Sequence, residues 1–213
     1  MARMYPQPMR PDTRSHAERK LYAALQEQLP HDYVIFHSVA WQVRDTAAGV
    51  RDGETDFCIA HPDLGILLVE VKGGYIRYDG RTGRWFSNEN EIKDPFLQGR
   101  EAKYSLLEKL KEMRHWRDRW ITVGHAAAFP DVAVEGDLGL EAPRELILDA
   151  SDMANLAGWV NQALRFLQAD RPDDSPLGRR GIKELVDLLS PSWDLRPLLD
   201  CAGLGSSVGG REA

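Results

Sequence analysis

The sequence predicts an α/β protein in which helices flank one mixed central β-sheet, with a helical extension on the C-terminal side. Three observations predict it. Segments of helical and strand period follow one another as helix, strands, hairpin, helix, strand. The run Ile66–Val69 is wholly apolar, as in a central strand buried on both faces. Two more helical patterns lie beyond residue 150. A chain of 213 residues with 43% apolar content suits one domain with a full core and appendages.

The elements follow in order. Residues 1–13, with several prolines, read as a disordered arm. A helix is expected from Ser15 to Leu29, with Leu21, Leu25 and Leu29 at helical spacing and Pro30 as its stop. Tyr33–Val43 is rich in β-formers and gives one or two strands, and residues 45–52 a polar loop. Glu54–Ala60 and Ile66–Lys72 are strands around the turn His61–Gly65. On the second, Leu67, Val69 and Val71 share one face and Leu68, Glu70 and Lys72 the other. Gly73-Gly74 marks a bend, after which Tyr75–Tyr78 pairs with Arg84–Ser87 as a hairpin. Pro95 opens a long helix to Trp116 with Leu106, Leu110 and Met113 as its apolar stripe. Tyr104 reads as a core residue of that helix rather than as a base-stacking contact. Ile121–Phe129 is a strand, Glu145–Leu148 a short edge strand, and Ser151–Leu167 and Leu177–Leu189 are helices, the second started by Ser175-Pro176. Residues 131–190 form the extension and 191–213 a flexible tail.

Charge is unevenly spread. Seven acids and one base between Asp131 and Asp152 account for the whole net charge of -6. Between Gln98 and Arg119, seven bases stand against four acids. Lys109, Arg114 and Arg117 are candidate nucleic-acid contacts there, against the alternative of a solvated face laced with ion pairs. Trp116 and Trp120 flank Arg117 and Arg119, either to stack on bases or to form a core patch. No run approaches the ~20 apolar residues of a membrane span. The start has no apolar signal-peptide core, and Cys58 and Cys201 make neither a disulfide framework nor a zinc spacing. The expected setting is soluble and cytoplasmic. No Gly-rich phosphate loop is present, which argues against a nucleotide-binding core.

The chemistry concentrates in Gly53-Glu54-Thr55-Asp56-Phe57 and Glu70-Val71-Lys72 on consecutive strands. Residues two apart in a strand share a face, so Glu70 and Lys72 meet near Asp56. Two carboxylates can hold a hard divalent cation such as Mg²⁺ or Mn²⁺, with the Val71 carbonyl as a third oxygen. The Lys72 ammonium can orient a water or stabilise charge on a phosphate oxygen. The competing reading is a satisfied buried ion pair, but two acids and one lysine leave a charge unbalanced. Glu18 is either a ligand entering from the first helix or the acid of a capping box with Ser15. Gln98 either orients a water or is an exposed first-turn residue. Glu54 is an accessory ligand or an arginine partner, and His61 reads as a turn residue.

The ordered set of motifs resembles the nuclease-related domain family of the PD-(D/E)XK, or restriction-endonuclease-like, superfamily. The residues that carry the resemblance are Ser15-His16-Ala17-Glu18, Gly53 to Phe57, His61 to Ile66, Glu70 to Gly74, Trp85-Phe86-Ser87 and Asp94 to Gln98. It covers residues 14–130. The resemblance implies a restriction-endonuclease-like core and a Mg²⁺- or Mn²⁺-dependent nuclease acting on DNA, with RNA open. Asp56, Glu70, Lys72, Glu18 and Gln98 would form its site. Work in DNA processing or repair, beside a helicase and as a homodimer, follows as an expectation. The alternative is a non-catalytic module that binds nucleic acid or docks on a helicase.

Overall fold

A computed structural model describes residues 1–45 and 49–194. Among the described residues, nine strands and four α-helices follow as β1 (Arg3–Tyr5), α1 (His16–Gln28), β2 (Val34–Asp45), β3 (Gly49–His61), β4 (Gly65–Val71), β5 (Ile76–Asp79), β6 (Arg84–Ser87), β7 (Asn90–Ile92), α2 (Pro95–Glu112), β8 (Val123–Phe129), β9 (Ile147–Asp149), α3 (Leu156–Ala169) and α4 (Gly178–Leu189). Six strands form one mixed sheet in the order β1-β2-β3-β4-β8-β9, and β5-β6-β7 form a separate small sheet. β2, β3 and β4 run antiparallel in sequence, whereas β4, β8 and β9 are mutually parallel. The expected fold class is therefore present.

Alternation along the strands builds three layers. Ile35, Phe57, Ile59, Leu67 and Val69 face one way and pack with Leu21 and Leu25 of α1 and Val160 and Leu164 of α3. Phe36, Cys58, Ala60, Ile66 and Leu68 face the other way, onto Leu106 of α2 and Ile182 and Leu185 of α4. With an apolar layer on each face, every residue of β4 is buried, as its unbroken hydrophobic run requires. Burial pushes the Cys58 thiol pKa up, so this cysteine is an inert core residue.

Several boundaries differ from the sequence reading. Arg3–Tyr5, expected in a disordered arm, is a strand parallel to β2, held because Ala2 and Met4 enter the α1/α3 core. Of the expected loop at 45–52, Gly49–Asp52 continues β3 and pairs with β2, and residues 46–48 lie outside the described residues. The hairpin gains β7 as a third strand. Helix α2 stops at Glu112, short of Trp116, with the Met113 N–H turned onto the Leu110 carbonyl. That early stop lets the Trp116 ring enter the α2/α4 core, where it is 1% exposed. Tyr104 is 55% exposed and is not a core residue. Residues 152–154 form a short 3₁₀ turn, so α3 is capped by Asn155, which accepts from the Gly158 N–H. Helix α4 starts at Gly178 and draws no side-chain cap from Ser175. The 191–213 tail lies outside the described residues beyond Asp194.

His125 on β8 carries a pH expectation. Burial, helped by the nearby positive charges of Lys103 and Arg100, lowers its pKa from 6.5 to about 4. The folded state therefore holds His125 neutral while the unfolded chain protonates it near pH 6.5. The stability it contributes is complete above pH 6.5 and is lost as pH falls toward 4. Partial exposure trims the effect to on the order of 2 kcal/mol. Thermal melts between pH 4.5 and 7 should show His125→Gln losing less stability toward acid than the parent. Parallel curves would refute the assignment.

Candidate active site

The sheet is interrupted where the candidate residues lie. The β2–β3 ladder pairs His37 with Phe57 and Val39 with Thr55 but skips the Ser38–Asp56 step between them. Ser38 there takes a left-handed backbone, φ 51°. On the other side, β3–β4 pairing ends at Phe57–Val69. Past that point Asp56 replaces the ladder with its side chain, and its Oδ2 accepts the Val71 N–H at 2.7 Å. The next amide, Lys72 N–H, turns the other way and donates to the Ala128 carbonyl of β8. A residue's N–H and C=O leave an extended strand on the same side, so the Val71 carbonyl lies on the Asp56 side. A cleft of about 250 Å³ opens onto this gap, lined by Arg10, Ser38, Glu54, Asp56 and Glu70 among others.

Glu70 is nearly enclosed, and Lys72 donates to its Oε1 at 2.7 Å. Burial raises the Asp56 pKa to about 7, and the like charge of Glu70 adds to the rise. Burial also raises Glu70, against the opposing pull of Lys72. One lysine thus serves two shielded carboxylates, and the excess negative charge faces the cleft.

Glu18 joins the group electrostatically, since its charge acts on Asp56 and Glu70 and it feels that of Lys72. The Ser15 hydroxyl accepts the Glu18 N–H at 3.2 Å, which is half of a capping box. The carboxylate does not complete the box. It faces His37 Nε2 at 3.1 Å, and that hydrogen bond holds Glu18 below its ordinary pKa. His37 is fully buried and its Nδ1 has no partner among the described residues, so Nε2 is the nitrogen that donates. Gly73 brings α1 this close to the end of β4, since a Cβ there would fall 2.8 Å from that of Ala17. Asp131 fixes the bend by accepting the Gly74 N–H and pairing with Lys20 of α1. His37, Ser38 and Asp131 were not singled out from the sequence, where a lone His, a strand Ser and one acid of an acidic run carry no signal.

Gln98 lines a neighbouring cleft of about 700 Å³ that also contains Glu54, and its buried Oε1 has no partner among the described residues. The structure does not gather the expected basic face. Lys109 pairs with Glu112 at 2.7 Å, Lys111 lies over Trp120, and Arg119 lies over Trp116 and bonds the Pro176 carbonyl. Arg114 and Arg117 fall in the turns beyond α2, not on a helix. The acidic stretch is likewise engaged internally. Asp149 and Asp152 pair with Arg144, Asp137 accepts the Arg144 N–H, and Glu141 pairs with Arg100. A separate hollow of about 850 Å³ beside α3 contains His61. His61 is the last residue of β3, not a turn residue, and both its ring nitrogens are committed, Nδ1 to the Asp63 N–H and Nε2 to Asp32.

Among the described residues, no group of three or more His, Cys, Asp or Glu side chains is arranged as a ready cage for a metal ion. Two carboxylates suit a cation that keeps several waters, as Mg²⁺ does. Also among the described residues, no helix is long and apolar enough to cross a membrane. The family model of the nuclease-related domain matches residues 13–130, more than half of the chain. Comparisons with curated proteins and with solved structures find no match.

Proposed function

Since the chain belongs to the nuclease-related domain family, we propose that it is a divalent-metal-dependent nuclease that hydrolyses phosphodiester bonds in DNA. The observation that carries the reading is the pair Asp56 and Glu70, two shielded carboxylates with raised pKa values served by one lysine at a break in the sheet. Asp56, Glu70 and the Val71 carbonyl would hold Mg²⁺ or Mn²⁺, which supplies an activated water and neutralises charge on the phosphate. Lys72, already held by Glu70, presents its remaining protons to a non-bridging phosphate oxygen or to the attacking water. Glu18, oriented by His37, is placed to accept a hydrogen bond from water entering from the α1 side. Gln98 sits one cleft away and orients substrate or water through its unpartnered oxygen. RNA is a second candidate, because phosphates rather than sugars meet these groups. A helicase partner and a homodimer complete the proposal for DNA processing or repair.

The test is cleavage of single-stranded, duplex, nicked and branched DNA, and of RNA, with Mg²⁺ or Mn²⁺. Cleavage of at least one substrate is expected, falling about a thousandfold in Asp56→Asn. Asn keeps an oxygen for the Val71 N–H, so the variant should melt no lower than the parent. Absence of cleavage on every substrate, or full activity in Asp56→Asn, would overturn the reading.

A further inference from the structure

We infer that the strand being cut continues from the carboxylates into the neighbouring cleft and stacks an unpaired base on Tyr104, so that the substrate is single-stranded nucleic acid. The inference rests on the proposed nuclease reading and assigns its substrate class.

Glu54 connects the two spaces, lining both the cleft that holds Asp56 and Glu70 and the one of about 700 Å³ that runs along α2. Tyr104, a residue 55% exposed, lines the second cleft on a helix whose apolar stripe is turned the other way. The Lys103 ammonium lies 4.6 Å from the ring centroid, so a cation attends the ring. An aromatic platform in a cleft that leads to a phosphodiester site is suited to an unstacked base. The bases of an intact duplex stack on one another and offer no free face to such a ring.

Charge points the same way. Arg51 and Lys93 share this cleft with Asp52, Glu54 and Glu101, and Arg51 is paired with Glu108. Among the described residues that line it, the cleft has no cationic surplus with which to hold a strand by its phosphates alone. Stacking must then carry much of the affinity, and the salt dependence should be shallow, with a log–log slope of about -1.4 for two phosphate contacts.

The experiment measures binding by fluorescence anisotropy, using the full chain with Asp56→Asn to prevent cutting. The probes are labelled oligo-dT, oligo-rU and a DNA duplex of equal length. Single strands should bind more tightly than duplex. Adding Tyr104→Ala should weaken single-strand binding about ten- to a hundredfold, while Tyr104→Phe binds as the parent and duplex binding does not change. Unchanged single-strand affinity in Tyr104→Ala would overturn the inference. Equal weakening on duplex, or a Phe variant as poor as Ala, would overturn it as well. The nuclease reading is judged separately, by cleavage in the chain that retains Asp56. Cleavage that persists while Tyr104→Ala changes nothing removes only the stacking site, and Tyr104-dependent binding without cleavage removes only the chemistry.

Discussion

Lys72→Ala is expected to lose both the proposed cleavage and several kcal/mol of stability. The two losses have one origin. Glu70 is 8% exposed at its side chain, and the Lys72 ammonium 2.7 Å away is the cation that compensates it. Removing one partner of a buried pair costs about 3–5 kcal/mol, because the remaining charge is stranded away from water. The site also loses the ammonium proposed to face a phosphate, which by analogy with other electrostatic stabilisers costs about a hundred- to a thousandfold in rate. A double variant, Glu70→Gln with Lys72→Met, separates the effects. With neither charge left, it should recover most of the stability in urea unfolding while staying inactive. If Lys72→Ala alone melts with the parent, Glu70 is protonated without its lysine and the pair is not the electrostatic unit described.

Gly65→Ala should unfold the domain more readily than any surface change of similar size. Gly65 begins β4 with φ 106°, a backbone that side chains rarely adopt. A Cβ there would stand 2.4 Å from the Thr122 carbonyl oxygen, which already accepts the Ile66 N–H at 2.9 Å. The obstacle is backbone, so no rotamer change relieves it. Conformational strain and overpacking together are worth about 4 kcal/mol, or roughly 10 °C in Tm for a chain of this size. Gly83→Ala isolates the strain alone, since Gly83 also has positive φ but open space around it. Equal melting temperatures for the two variants would show that the contact with Thr122 yields easily.

The central strand was legible because its own composition records two buried faces, and Glu70 and Lys72 stood out as charges on such a strand. The partner of α1's acid was not legible. Ser15 and Glu18 spell a capping box, and nothing in that spelling announces that His37 will arrive from β2 to meet the carboxylate. Tyr104 misled for a related reason. Its neighbours Ser105 and Leu106 are buried, and periodicity over so short a stretch does not decide which flank of a stripe a ring occupies. The end of α2 was set by Trp116 finding a place in the α2/α4 core, a tertiary event with no local breaker residue. Caps at Asn155 and Leu177 likewise depend on chain direction into the core more than on the Ser residues that precede them.

The skipped ladder step at Ser38 and Asp56 limits how an inactive but intact form of this protein can be made. Asp56 is carpentry as well as a proposed metal ligand, because its carboxylate joins β3 to β4 where the backbone no longer does. Alanine or leucine at this position would unfasten the Val71 amide and loosen the seam, so lost activity in those variants would say little about catalysis. Asparagine alters the charge and leaves the joint. If the proposed role holds, folding and function meet in one carboxylate here, and substitutions have to be chosen by which bond they spare.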